Sequence, residues 1–149
     1  MTMPRTSAIL VLLLLISATF LSAKKEETLE ELVARAGAAK IESQPDLFIE
    51  AAERQLAAAD DAFTAGNSEQ GLKAVRDIVT YSDKAGTAAD KSGKKLKHTE
   101  IALRKMAAKL RDIKRTVEFE NQAPIQDAAD HLEQLRSNLL NRMFGKEAK

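Results

Sequence analysis

Two histidines and a dense set of carboxylates are the side chains of this sequence with the most chemical potential. Asp127 and His131 stand four residues apart, with Asp130 and Glu133 beside them. On a helix, residues at that spacing share a face, so a carboxylate and an imidazole there form half of a weak divalent-cation site. A di-metal bundle needs Glu-x-x-His on two helices, and neither His98 nor His131 has Glu three residues before it. Met106 and His131 are the side-chain types of a Met/His haem pair, but no supporting motif surrounds them. The chain has no Cys, which excludes disulfides, thiolate nucleophiles, Cys-ligated zinc and iron–sulfur clusters. Gly-rich phosphate loops, a Gly-x-Ser-x-Gly elbow and a zinc-protease His-Glu pair do not occur. No carboxylate pair stands in an apolar context that would raise a pKa. The expectation is a non-enzyme with no catalytic residue, cofactor or metal. A metal- or cofactor-binding bundle using Asp127, His131 and Met106 is the alternative.

The elements that would position these residues are helices. Aromatics make up only 4% of the 149 residues, with no Trp and one Tyr, a poor supply for a β-sandwich or barrel. The apolar pattern is helical instead. Leu29, Leu32, Val33 and Ala36 predict a short helix over 26–41, with acids in its first turns, where the helix dipole favours them. Pro45 is expected to break the chain before a second helix over 46–65, with Phe48, Ala52, Leu56, Ala59 and Phe63 on one face. Gly66 then ends that helix and Asn67 or Ser68 caps a third. Leu72, Val75, Val79, Ser82 and Gly86 form the third helix's inner face. In the fourth, Leu96, Thr99, Leu103, Met106, Leu110, Ile113 and Val117 alternate by three and four residues, a heptad seam. A turn is expected at 121–124, followed by a last helix with Ile125, Ala128, Leu132, Leu135, Leu139 and Met143 inside. Short connections favour antiparallel neighbours. The expected fold is all-α, an up-down antiparallel bundle of four long helices plus a short leading one.

The segment 1–23 has the layout of a secretory signal peptide. Arg5 precedes an apolar run from Ala8 to Ile16, and Ser17, Ala18, Ser22 and Ala23 supply small residues near a cleavage point after Ala23. The apolar stretch 8–23 is shorter than the roughly 20 residues that a spanning helix needs, so cleavage is expected rather than anchoring. The remaining 24–149 would form one helical domain. Arg5 is the only charge removed, so the chain's net +1 falls to zero. The expected location is outside the cytoplasm, in a bacterial periplasm or medium, with membrane contact only in transit unless the segment stays uncleaved. The expected partner is a protein or a cell-envelope component.

The stretch Ala59-Asp60-Asp61-Ala62-Phe63-Thr64-Ala65-Gly66-Asn67-Ser68-Glu69-Gln70-Gly71-Leu72 resembles the middle of a tetratricopeptide (TPR) helical hairpin. Ala59, Gly66, Asn67 and Gly71 match the family pattern in kind. Phe63 stands one place past the usual aromatic position, and Asp83 falls where the closing Pro belongs. No second copy follows at the period of about 34 residues. The resemblance implies a peptide- or protein-binding scaffold in which Glu53, Leu56, Asp60 and Phe63 line the groove-facing side.

Charge is distributed unevenly. Between Lys94 and Arg115 nine basic residues face two acids, Glu100 and Asp112. On the heptad register Lys97, Arg104 and Arg111 share one position, with Lys105 and His98 beside them. This is an outer basic stripe able to meet an anionic lipid surface or polymer. The stripe has no interleaved aromatics, which argues against nucleic acid as a partner. The second helix and the start of the fifth are acidic and are candidates to neutralise part of it.

Overall fold

A computed structural model describes residues 25–145, so the leader expected at 1–23 lies outside the described residues. Those residues form five α-helices and no strand: α1 Leu29–Ala38, α2 Gln44–Thr64, α3 Ser68–Ser92, α4 Leu96–Lys114 and α5 Phe119–Phe144. They pack as a helical bundle. The closest pairings are α2 with α3 and α4 with α5, and α3 packing on α5 joins the two pairs. The short α1 rests on α2. No described helix is long and apolar enough to cross a membrane.

Local chemistry explains most of the boundaries. Thr28 and Glu31 form a reciprocal capping box at the start of α1, which satisfies two backbone donors that the first turn leaves free. That cap starts α1 three residues later than the pattern implied. Pro45 sits inside the first turn of α2 rather than before it, where its missing N–H costs nothing. Asn67 caps α3 by accepting from the backbone N–H of Gln70. Gly66 and Gly93 hold the left-handed turns on either side of α3, at φ 80° and 68°, as a residue without Cβ does most easily. The largest departure is at α5. The expected turn at 121–124 is helical, and the actual break lies between Lys114 and Phe119. Pro124 therefore sits inside α5. So close to the N-terminus it interrupts a single interior hydrogen bond, and Gln122 folds back to donate to the Val117 carbonyl.

The core lies on the heptad seam of α4 and the faces opposed to it. Leu103, Met106, Leu110 and Ile113 of α4, Ile78 of α3, and Ile125, Leu132 and Leu139 of α5 are buried together. Alanines fill much of the rest, including Ala52, Ala59, Ala85, Ala89, Ala107 and Ala129. Small side chains let helices approach closely, and Gly71 is the extreme case. A Cβ there would stand 2.7 Å from the Phe63 ring, so the aromatic of α2 lies directly on the α3 backbone.

Two buried hydroxyls, Ser82 Oγ and Thr99 Oγ1, have no hydrogen-bond partner among the described residues. An unsatisfied buried hydroxyl destabilises. Thr99→Val keeps the shape and removes the polar atom, so urea denaturation should show a gain of up to about 1 kcal/mol.

Candidate functional site

Between α3 and α5 lies an open apolar groove of about 370 Å3. From α3 it is lined by Leu72, Val75, Arg76 and Val79, and from α5 by Pro124, Asp127, Ala128 and His131. Each set follows the spacing i, i+3, i+4, i+7, one stripe of a helix surface. Leu72 and Val79 are half-buried, not enclosed as the inner-face pattern implied. The reason is that α3 packs chiefly through Ala74, Val75, Ile78, Ala85 and Ala89, a face rotated away from those two side chains. Arg76 and Asp127 stand on opposite walls, and neither makes an ion pair among the described residues. At one end His131 Nε2 lies 2.7 Å from Asp83 Oδ1, tying α5 to α3.

The residues expected from sequence are placed as follows. Of the TPR-derived set on α2, Glu53 is exposed. Leu56 and Phe63 pack against the core, and Asp60 is held by Lys109 of α4 at 3.0 Å. The structure brings Leu56, Asp60 and Phe63 to contacts within the bundle and leaves Glu53 on its surface. In the basic stripe, Arg111 pairs with Glu133 of α5 at 3.6 Å. Lys97, Arg104 and Lys105 are exposed, without an ion pair among the described residues. Thus α2 and α5 neutralise the edges of α4 and leave its outer face charged. Asp127 and His131 acquire no third ligand: no group of three or more His, Cys, Asp or Glu able to hold a metal occurs among the described residues. Met106 is packed inside the core, 2% exposed, while His131 lies on the surface beside Asp83.

One charged cluster was not anticipated. Glu100 is only 7% exposed and accepts from Arg136 Nε at 2.6 Å. Arg136 also holds Glu133 at 3.2 Å, so the chain Arg111–Glu133–Arg136–Glu100 laces α4 to α5. The available signal was the register: Glu100 follows Thr99 directly on the seam, at the edge of the buried face.

A second lacing point joins α2 to the start of α4. Asp46 contacts Lys95 Nζ at 2.9 Å and His98 Nδ1 at 2.8 Å. Lys95 itself adopts a left-handed conformation, φ 61°, uncommon for a residue with a Cβ. Partial burial raises the Asp46 pKa, but hydrogen bonds from Lys95 and His98 outweigh it and hold the carboxyl below its ordinary 3.8. A carboxyl depressed on folding adds stability above its unfolded pKa, and that stability is lost as pH falls through the folded value. Thermal melts of Asp46→Asn should therefore lie below wild type at neutral pH and converge with it in acid, below about pH 4.

The chain matches no family model, no curated protein and no solved structure.

Proposed function

We propose that this protein is an exported, non-enzymatic helical bundle that binds another protein of the cell envelope by receiving an amphipathic helix in the α3–α5 groove. The observation that carries the reading is the groove itself: two helices each present a stripe at i, i+3, i+4, i+7 across an open cleft, with Leu72, Val75, Val79, Pro124 and Ala128 as its apolar members. That geometry suits the apolar stripe of a third helix. Arg76 on one wall and Asp127 on the other call for a partner helix with an acid and a base on its two flanks. Under this reading 1–23 is removed as a signal peptide, 24–149 is the working domain, and its four long helices run up and down. Glu53, on the exposed side of α2, is outside the binding surface.

Crosslinking in the envelope fraction tests the proposal, comparing wild type with Leu72→Asp/Val79→Asp. Both positions are half-exposed, so the double variant should keep its helical circular dichroism. A discrete adduct present in wild type and absent from the variant is expected. An adduct that persists in the variant, or none at all, would overturn the groove as the binding surface. Export is checked separately by mapping the N-terminus of the fractionated protein. A soluble form starting at Lys24 is expected. An intact N-terminus in the membrane fraction would make 8–23 an anchor.

A further inference from the structure

The outer face along the α4–α5 seam combines two features that neither helix shows alone. The first is the unpaired part of the basic stripe. Lys97, Arg104 and Arg111 are spaced by seven residues, just under two turns, so they share one side of α4. Arg111 touches Glu133 of α5, which fixes that side as the one bordering α5. Lys97, Arg104 and the adjacent Lys105 make no ion pair among the described residues. The second feature is aromatic. Phe119 and Phe144 are 87% and 68% exposed; the other described side chain of this kind, Ile41, is only 38% exposed.

The two phenylalanines stand at opposite ends of α5, roughly 37 Å apart along the axis. Their separation of 25 residues is close to seven full turns, so they project from the same side. That side borders α4. Phe119 stands with Lys114 and Gln126 around one shallow depression, and Lys114 donates to Gln126 at 2.7 Å. Phe144 follows Gln126 by 18 residues, five whole turns, and Glu133 by 11, about three. The face therefore has an aromatic at each end and a row of free cations between. Its acids are engaged only in part. Glu133 is held by Arg111 and Arg136 and Asp112 by Arg115, whereas Asp130 accepts from the uncharged Gln126, and Glu118 and Glu120 beside Phe119 make no ion pair among the described residues.

We propose that this α4–α5 face docks on an anionic phospholipid surface, with Lys97, Arg104 and Lys105 against the headgroups and Phe119 and Phe144 inserted at the interface. The cations supply long-range attraction to a negative leaflet. The phenylalanines give an apolar contribution that salt does not screen, and their placement at both ends holds α4 and α5 flat on the surface. A soluble polyanion has the complementary charge but no use for two widely spaced phenyl rings, so lipid is the occupant the face fits. This surface is separate from the α3–α5 groove and does not depend on it.

Co-sedimentation of the full chain with vesicles tests the inference. Phosphatidylglycerol-containing vesicles are compared with phosphatidylcholine alone, and every variant carries the same N-terminal segment. Wild type should bind the anionic vesicles far better than the neutral ones, and weaken as salt rises. K97Q/R104Q/K105Q should bind the anionic vesicles about a hundredfold more weakly. F119S/F144S should keep the salt-sensitive part and lose the part that survives high salt. All substituted positions are exposed, and unchanged circular dichroism confirms the fold. Equal binding of wild type and the triple variant would overturn the proposal. So would heparin binding that ignores Phe119 and Phe144 in a protein that does not sediment with vesicles, which would assign the stripe to a polymer.

Discussion

Leu103→Ala is expected to lower stability by about 3–5 kcal/mol in urea denaturation. Leu103 is fully buried in the middle of the α4 seam, and its neighbours in the core include Met106, Ala107 and Leu110. The upper part of the range applies because so many surrounding core positions are Ala. An Ala has no side-chain torsion with which to fill a void, so the cavity stays open and the lost contacts are not recovered. Against a typical total of 5–15 kcal/mol, that loss brings the chain close to its unfolding threshold. Leu56→Ala, a similar truncation on the half-buried edge of α2, should cost clearly less. Equal losses at the two positions would place the core elsewhere than on the α4 seam.

Arg136→Met should produce a loss of similar rank by a different cause. Glu100 has a side chain only 9% exposed, and Arg136 is the partner that neutralises it. Removing one member of such a pair leaves a carboxylate enclosed by the bundle without its counter-charge, and that stranding, not the value of the pair, is what destabilises. Glu133 would lose one of its two arginines at the same time. The cause is separable by a second substitution. Arg136→Met/Glu100→Leu removes the stranded charge and substitutes apolar volume, so its melting temperature should return to wild type or exceed it. A single variant that melts like wild type would show that Glu100 reaches water without Arg136. A double variant as unstable as the single would show that Arg136 acts through packing of its aliphatic stem.

How far these features were legible depended on whether one helix or two define them. The middle of the α4 seam was readable because a heptad pattern belongs to a single helix: Thr99, Leu103, Met106, Leu110 and Ile113 are all buried, whereas Leu96 is half-buried and Val117 lies past the helix end. The turn at Gly66-Asn67 was readable because left-handed turns and caps are local chemistry. Pro124 misled because proline marks a helix interior as unfavourable without forbidding it: as the sixth residue of α5 it removes one backbone hydrogen bond and the helix continues through it. The groove was hidden for another reason. Leu72 and Val79 carry the periodicity of a buried face, but α3 contacts both α2 and α5. Which apolar residues stay open is decided by how both neighbours seat on α3, and that is not written in α3 alone. The basic stripe was visible in the charge count, whereas its division into His98 and Arg111, which pair with Asp46 and Glu133, and Lys97, Arg104 and Lys105, which make no ion pair among the described residues, required the neighbouring helices. Phe119 and Phe144 are the first and last residues of α5, so their exposure depends on helix ends that the apolar pattern alone does not fix.

The central claim is that the α3–α5 groove holds a helix of another protein. The most direct measurement places a photo-crosslinking residue at position 72, 79 or 127 in the groove, and at 53 on the exposed side of α2, in intact producing cells. The account predicts one discrete adduct from the three groove positions and none from 53. Mass spectrometry should map the crosslinked peptide to an amphipathic helix with an acid on the flank facing Arg76. The same adducts from all four positions, or none from 72, 79 and 127, would contradict it.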